Sequence, residues 1–158
     1  MAKQPCPRPL LQKVTMFAPS RDEVRQFFCT AWKKHVERLP LVGAEVAAAD
    51  IAARHPEYHA LLTDSAAARE KEWTPEAGQM NPFLHLSLHL AIHEQVSIDQ
   101  PPGIRAAYLA IAARLAPHDA EHVLLEALGE VIWRAQREGK PMDAMAYVEA
   151  VKRAGTAL

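Results

Sequence analysis

The chain has 158 residues, of which 49% are hydrophobic and 23% charged, and its formal net charge is −1. This length supports a single hydrophobic core, and the composition is that of an ordinary globular domain. The near-neutral charge argues against nucleic-acid binding by the domain as a whole. The six glycines form no phosphate-binding loop, dinucleotide turn or nucleophile elbow, so we expect neither a nucleotide nor a flavin cofactor.

The first residues differ in composition from the rest of the chain. Prolines interrupt them, and their only charged side chains are basic. We therefore expect residues 1–15 to form a flexible proline-rich arm and residues 16–158 to form the folded domain. RNA or ribosome association through this basic arm is the weakest of the functional alternatives.

Compartment signals are few. The two cysteines, Cys6 and Cys29, form neither a disulfide framework nor a metal-binding pair. The sequence has no secretory-signal pattern and no uncharged apolar run long enough to span a bilayer. These features predict a protein of the reducing cytoplasm that does not insert into a membrane.

Prolines divide the domain into predicted helices, and no segment alternates like a strand. The first helix starts at a capping box, Ser20 to Glu23, and ends before Pro40. Further helices are predicted from Ala44 to about Arg54, from Pro56, from Ser65 to about Trp73, from Pro82 to about Ile98, from Ile104 to about Ala116, from Pro117 to about Gly139, and from about Met142 to Ala154. This pattern is typical of an all-α, single-domain helical bundle of about six or seven helices.

The helix that begins at Pro82, after an Asn81 cap, is apolar around nearly its whole circumference, so we expect it to be the central helix. His85, His89 and His93 follow one another along it in steps of four. Neighbouring members of such a series lie about 40° and 6 Å apart and can bind one ion, whereas His85 and His93 are separated by about 12 Å.

The helix that begins at Pro117 carries a second polar series on an otherwise apolar sequence. His118, His122, Glu126 and Glu130 again follow one another in steps of four. Because an unpaired buried charge is costly, we expect this series to face the histidines of the central helix. Imidazoles and carboxylates from neighbouring helices form the metal sites of many helical bundles.

A third source of imidazoles is the segment around Pro56. Proline at the first helical position makes His55 the N-cap and places His59 one turn into the helix. The positive end of the helix dipole disfavours imidazolium, so both rings are expected to stay neutral and able to bind a metal. Glu57 and Asp64 are the carboxylates that we expect to orient these rings.

Together these patterns predict a divalent metal ion, iron, zinc, nickel or manganese, in a His/Glu site in the core. The leading ligand candidates are His85, His89, His122, Glu126 and His59, followed by His55, Glu130, His118 and His93. Iron or manganese with an open position would indicate an oxidoreductase. Zinc with three ligands and a water would indicate a hydrolase, with a nearby glutamate as base. The sequence specifies no substrate.

The second hypothesis comes from a different class of function. The polar stripes also suit a non-enzymatic helical interaction or scaffold protein in which they form a buried hydrogen-bond network. The partner, whether a small-molecule substrate or a protein, is not specified by the sequence. The oligomeric state is also left open, and a homodimer is one of the alternatives.

Several longer motifs carry a family resemblance that spans residues 16–153. They are Met16-Phe17 with Pro19-Ser20-Arg21, His55-Pro56-Glu57-Tyr58-His59, Asn81-Pro82-Phe83-Leu84-His85, Leu88-His89-Leu90-Ala91-Ile92, Glu94-Gln95, Pro101-Pro102-Gly103-Ile104-Arg105 and Glu121-His122. With these motifs the chain resembles an uncharacterised bacterial family of domains of unknown function. The resemblance implies no activity and no catalytic residues. Arginine is more usual there than His93, which makes His93 the weakest ligand candidate.

Overall fold

The computed structural model describes residues 19–158, which form eight α-helices, two short 3-10 turns and no strand. The helices are α1 (Arg21–Val36), α2 (Ala44–Ala53), α3 (His59–Thr63), α4 (Ser65–Glu70), α5 (Pro82–Ile98), α6 (Ile104–Ala112), α7 (Pro117–Glu138) and α8 (Ala144–Thr156). The turns are Pro56–Tyr58 and Pro75–Ala77. The all-α prediction is confirmed. The arm predicted for residues 1–15 lies outside the described residues.

Two predicted helix starts are confirmed in their atomic detail. The amide of Glu23 donates to the Ser20 hydroxyl at 3.2 Å, and the Ser20 amide donates back to the Glu23 carboxylate at 2.9 Å. At the start of α5, the side-chain oxygen of Asn81 accepts from the Phe83 amide at 2.9 Å, and Pro82 occupies the first helical position. Local side chains therefore satisfy amides that have no partner inside the helix.

One helix is shorter than predicted. α4 ends at Glu70 and does not reach Trp73. The buried guanidinium of Arg25 in α1 donates to the carbonyls of Ala68 at 3.1 Å and Lys71 at 3.0 Å. These carbonyls lie at and just beyond the last turn of α4, where no helical amide follows to bind them. A side chain from a distant part of the sequence therefore fixes this helix end.

The start of α4 agrees with the prediction, whereas the end of α6 does not. Asp64 leaves the helical conformation and caps α4 by accepting from the Ala67 amide at 3.0 Å, so α4 begins at Ser65, as predicted, and is separate from the short α3. The described residues form eight α-helices, where about six or seven were predicted. α6 ends at Ala112, before the predicted Ala116, which is extended. The residue before a proline avoids the helical region, and Pro117 follows.

The core consists of two hydrophobic clusters. The first is formed by α1 to α4 with the first half of α5; its buried members are Phe28, Cys29, Ala31, Trp32, Ala48, Ile51, Ala52, Leu62, Ala68, Phe83 and Leu86. The second is formed by the remainder of α5 with α6, α7 and α8; its buried members are Ile92, Ile104, Ala107, Ile111, Ala120, Leu124, Leu125, Ala127, Leu128, Val131, Tyr147, Val148 and Val151.

α5 joins the two clusters. Phe83 and Leu86 belong to the first cluster and Ile92 to the second. α5 packs against α1, α2, α6 and α7, which agrees with its predicted central position. It is not buried on every side, because Leu84 and Ile98 are 54% and 58% exposed. Among the described helices, none is both long and apolar enough to cross a membrane.

Candidate metal site

Five imidazoles meet where α5 passes from one hydrophobic cluster to the other. His85 and His89 lie on α5, His118 and His122 lie on the first turns of α7, and His55 directly precedes the turn that follows α2. Ring centroids of contacting pairs lie between 4.4 and 6.1 Å apart. We call these five residues the histidine cluster. The members of the histidine cluster range from residue 55 to residue 122 in the sequence, so only the tertiary fold brings them together.

Four members of the cluster can converge on one point. His55, His89, His118 and His122 each have a ring nitrogen within 4.8 Å of the corresponding nitrogen of the other three. His55 and His89 are buried, at 1% and 0% exposure, and His118 and His122 are half-buried. Ligands at about 2.0–2.1 Å from a tetrahedral zinc ion lie about 3.3 Å from one another. The nitrogens would therefore have to approach one another by up to about 1.5 Å to coordinate such an ion.

His89 is held by a chain of charged groups. Its Nδ1–H donates to the Glu121 carboxylate of α7 at 2.9 Å. The other oxygen of Glu121 accepts from Arg54 at 3.1 Å, and Arg54 also pairs with Asp50 at 3.2 Å. Because Nδ1 carries the proton, the neutral ring has its lone pair on Nε2, on the opposite side of the imidazole. A carboxylate that binds one ring nitrogen and leaves the other free is the usual partner of a metal-binding histidine.

His55 is oriented by the backbone of α2. Its Nδ1 lies 2.7 Å from the carbonyl oxygen of Ile51, and only a protonated nitrogen can donate to that oxygen. This carbonyl is in the last turn of α2 and also accepts from the Arg54 amide at 3.1 Å, so both of its lone pairs are used. The Nε2 of His55 lies 3.1 Å from the Nε2 of His85. His55 is the N-cap residue that the sequence predicts, but its ring binds α2 and does not cap the following turn.

Four ring nitrogens of the cluster are buried without a hydrogen-bond partner among the described residues. They are His85 Nδ1, His89 Nε2, His118 Nδ1 and His122 Nε2. A buried polar group without a partner costs about 1–3 kcal/mol, so several in one place are unusual in a stable fold. All four belong to rings that contact one another, and the cluster therefore concentrates unpartnered ring nitrogens in one place.

The protonation behaviour of the rings follows from their surroundings. Burial lowers the pKa of His55, His118 and His122, and it lowers the pKa of His85 to about 4. Neighbouring imidazoles act in the same direction because two positive rings would repel each other. These rings are therefore neutral at pH 7, which is the form that binds a metal.

Glu121 stays ionised in spite of its environment. Burial raises the pKa of its carboxyl group, but the hydrogen bonds from His89 and Arg54 outweigh that effect and lower the net pKa. An ionised carboxylate favours the proton on the facing nitrogen of His89. The Arg54–Glu121 pair therefore fixes which nitrogen of His89 faces the cluster.

Two predicted ligand candidates lie outside the cluster. The Nε2 of His59 donates to the carbonyl of Ala52 at 2.8 Å, and its ring stacks on Trp32 at 4.0 Å. His93 is exposed, although it is one step of four beyond His89. On α5, Leu86 is buried in the first hydrophobic cluster and Ile92 in the second. His93 follows Ile92 and is not among the buried residues of the helix.

On α7, the two predicted carboxylates point away from the cluster. Glu126 and Glu130 are exposed, and Glu130 pairs with Arg134 at 2.7 Å. Each step of four rotates a side chain by about 40° on a straight helix, so the predicted series drifts from the buried face towards solvent. Glu121 lies about 60° from His118 in the opposite direction, on the side of the buried Leu124.

Glu121 is the functional candidate that the sequence reasoning missed. Glu57 and Asp64 were the expected orienting carboxylates, but Glu57 is exposed and Asp64 caps α4. A signal for Glu121 did exist, because its position next to His122 puts a carboxylate between the histidine face and the apolar face of α7. A search for steps of four alone does not detect a carboxylate three residues after His118.

The structure brings together fewer types of ligand atom than the His/Glu site predicted from the sequence. The four converging donors are all imidazole nitrogens, and the only carboxylate hydrogen-bonded to the cluster, among the described residues, binds a ring N–H. Imidazole suits zinc, copper, iron and nickel, whereas manganese, magnesium and calcium prefer oxygen ligands. The arrangement is thus one that could hold a metal ion through imidazole nitrogens.

Comparisons with known proteins identify the family but no activity. The sequence pattern of the family described as "Domain of unknown function (DUF1841)" matches residues 20–153. No curated protein and no solved structure gives a significant match. Because the family pattern covers most of the chain, the chain belongs to that family.

Proposed function

We propose that this member of the DUF1841 family is a metal-binding protein that holds one divalent transition metal ion through His55, His89, His118 and His122. The observation that carries the proposal is the state of His89. Its Nδ1 donates to Glu121, and its fully buried Nε2 has no partner among the described residues and belongs to the converging group. This is the arrangement in which a protein prepares a neutral imidazole for a metal.

The same observation weighs against a purely structural hydrogen-bond network. A network stabilises a core when each buried donor meets an acceptor. In the histidine cluster, four buried ring nitrogens have no partner among the described residues. A cation that accepts several lone pairs at once would use such nitrogens, whereas moving a proton from one nitrogen of a ring to the other creates no new partner for them.

Zinc is the metal that we expect to bind most readily under laboratory conditions, with nickel and iron as alternatives. An all-imidazole set suits these ions, and the absence of a carboxylate among the four converging ligands disfavours manganese. Copper(II) is also compatible with this ligand set and belongs in the same comparison. A tetrahedral site with four protein ligands is typical of a structural metal, which here would join α2, α5 and α7.

A metal-dependent oxidoreductase or hydrolase is the second candidate function. It is favoured by the half-buried state of His118 and His122, since solvent can approach the metal from that side. Catalysis requires an open coordination position, which four ligands leave only when the metal takes a fifth. The substrate class for such an activity is not specified by the cluster.

Metal binding can be measured directly. Protein purified without an affinity tag or chelator is analysed for its metal content, and metal-free protein is then titrated with zinc, nickel, iron(II), manganese and copper(II). We expect one equivalent of metal per chain and a rise in the free energy of unfolding of about 2.7 kcal/mol when free metal is 100-fold above the Kd. The double variant His118→Ala, His122→Ala should keep its helical circular dichroism and lose both effects.

His93→Ala is the matched control, because His93 is exposed on the same helix as His85 and His89. It should bind metal as the unmodified chain does. The proposal is overturned when folded, unmodified protein binds none of the five ions and its unfolding midpoint does not move. Equal loss of binding in the His93→Ala variant would locate the metal elsewhere and would also overturn it.

A further inference from the structure

His55 and His85 face each other in a way that fixes the position of a proton. The Nδ1 of His55 is committed to the Ile51 carbonyl at 2.7 Å, so the Nε2 of its neutral ring is a lone pair. The Nε2 of His85 lies 3.1 Å from that lone pair. Two lone pairs would repel at this distance, and the contact is a hydrogen bond only when His85 carries its proton on Nε2.

The rest of the His85 ring agrees with this tautomer. Its other nitrogen, Nδ1, is buried and has no hydrogen-bond partner among the described residues, so no acceptor there competes for the proton. His85 is also the one member of the histidine cluster outside the converging group of four.

We infer that His85 is a competing donor that covers the metal-binding lone pair of His55 and must release it before a metal can bind. This inference rests on the proposed function, because it concerns the same site. The Nε2 of His55 can donate its lone pair either to the His85 proton or to a metal ion. His85 is thus a built-in regulator of metal affinity, and only an ion that binds the four-histidine set strongly enough displaces it.

Two substitutions of His85 separate this role from that of a fifth ligand. His85→Phe keeps a ring of similar shape and removes the donor. Without the competing hydrogen bond the metal-free state loses stability, while the metal-bound state does not, and we expect zinc to bind about 3- to 10-fold more tightly. His85→Gln can place an amide N–H near the position of Nε2 and should restore an affinity within about twofold of the unmodified chain.

The measurement is a zinc titration against a competing chelator, with His93→Phe as the control for an added aromatic ring on α5. Nitrogen-15 NMR of the metal-free protein should detect the Nε2–H tautomer of His85 and its loss of the hydrogen bond when zinc is added. Weaker or unchanged zinc binding by His85→Phe, with the fold intact by circular dichroism, overturns the inference and leaves the metal site standing. Failure of the unmodified chain to bind any metal overturns the proposed function itself. If His85→Phe does not fold, the inference is tested by the tautomer of His85 in the unmodified protein: the Nε2–H tautomer supports it, and the Nδ1–H tautomer overturns it.

Discussion

Arg25 and the histidine cluster are two buried polar regions that the fold treats in opposite ways. Arg25 is 2% exposed, and one nitrogen of its guanidinium donates to the carbonyls of Ala68, Arg69 and Lys71. The same guanidinium lies over the ring of Trp73 at 5.0 Å. At one terminal nitrogen, this donor-rich side chain meets an acceptor-rich helix end, and the protein supplies both sides of these three hydrogen bonds; Arg25 Nε alone has no partner among the described residues.

In the histidine cluster the protein supplies only one side. The backbone and Glu121 take up ring protons of His55 and His89, whereas four ring nitrogens of the cluster have no hydrogen-bond partner among the described residues. The comparison shows how burial can be interpreted. A buried polar group that is hydrogen-bonded within the chain stabilises the fold, whereas buried ring nitrogens without a partner among the described residues are open to a ligand.

The largest effect is expected on the Arg25 side of the comparison. Arg25→Ala removes the donor for three carbonyls and the contacts with two aromatic rings, and we expect a loss of about 3 kcal/mol or more in the free energy of unfolding. Urea denaturation measures this loss. Metal binding per folded chain should not change, because Arg25 has no contact with the cluster.

Arg21→Ala is the matched control for that experiment. Arg21 lies on the same helix and pairs with Glu72, but both side chains are more than half exposed. Exposed ion pairs contribute about 0–1 kcal/mol. An equally large loss in both variants would mean that the contribution of Arg25 to the free energy of unfolding does not come from its burial.

A smaller effect is expected when the orientation of His89 is disturbed. Glu121→Gln removes the charge that holds the proton on the Nδ1 of His89, and the amide can donate to that nitrogen and move the proton to Nε2. Partners of this kind contribute about 10- to 100-fold to metal affinity, so zinc should bind that much more weakly. Glu126→Gln, at the exposed position predicted from the sequence as a ligand, should bind zinc within about twofold of the unmodified chain. Equal losses in the two variants would contradict the assignment of Glu121.

The smallest effect is a dependence of stability on pH in the metal-free protein. His55, His85, His118 and His122 have lowered pKa values when folded, so the unfolded chain binds more protons once the pH falls below the ordinary value of 6.5. Stability must therefore fall as the pH is lowered from 6.5 towards the folded-state values, which for His85 is about 4.

Urea unfolding at several pH values between about 5 and 7 measures this dependence, because carboxylates with ordinary pKa values titrate mostly below that window. The variant His118→Ala, His122→Ala should have a shallower slope, since fewer buried rings take up protons on unfolding. A flat profile in the unmodified chain would mean that the rings are not held neutral by the fold. The same profile with bound zinc should be steeper, because protons then also displace the metal.

The helices of this protein could be predicted almost entirely from the sequence. The caps at Ser20 and Asn81 act within three residues of their own position, and the series His85 to His89 and His118 to His122 lie within one turn. The site could be predicted in part. The structure brings together five of the histidines proposed as ligands, but His59 and His93 lie elsewhere, and Glu126 and Glu130 are replaced by a carboxylate that was not proposed.

The difference has a physical cause. Periodicity along one helix specifies which side chains share a face, because the geometry within a turn is fixed by the backbone. Which part of that face meets another helix depends on how helices distant in sequence pack. Glu121 and Glu126 lie about 140° apart around α7, so this packing decides which of the two carboxylates reaches the cluster. The sequence by itself therefore determined the helices and their histidine faces. Only the packing of α2, α5 and α7 decided which ring nitrogens converge, which nitrogen of His89 donates to Glu121, and which ring nitrogens have no hydrogen-bond partner among the described residues.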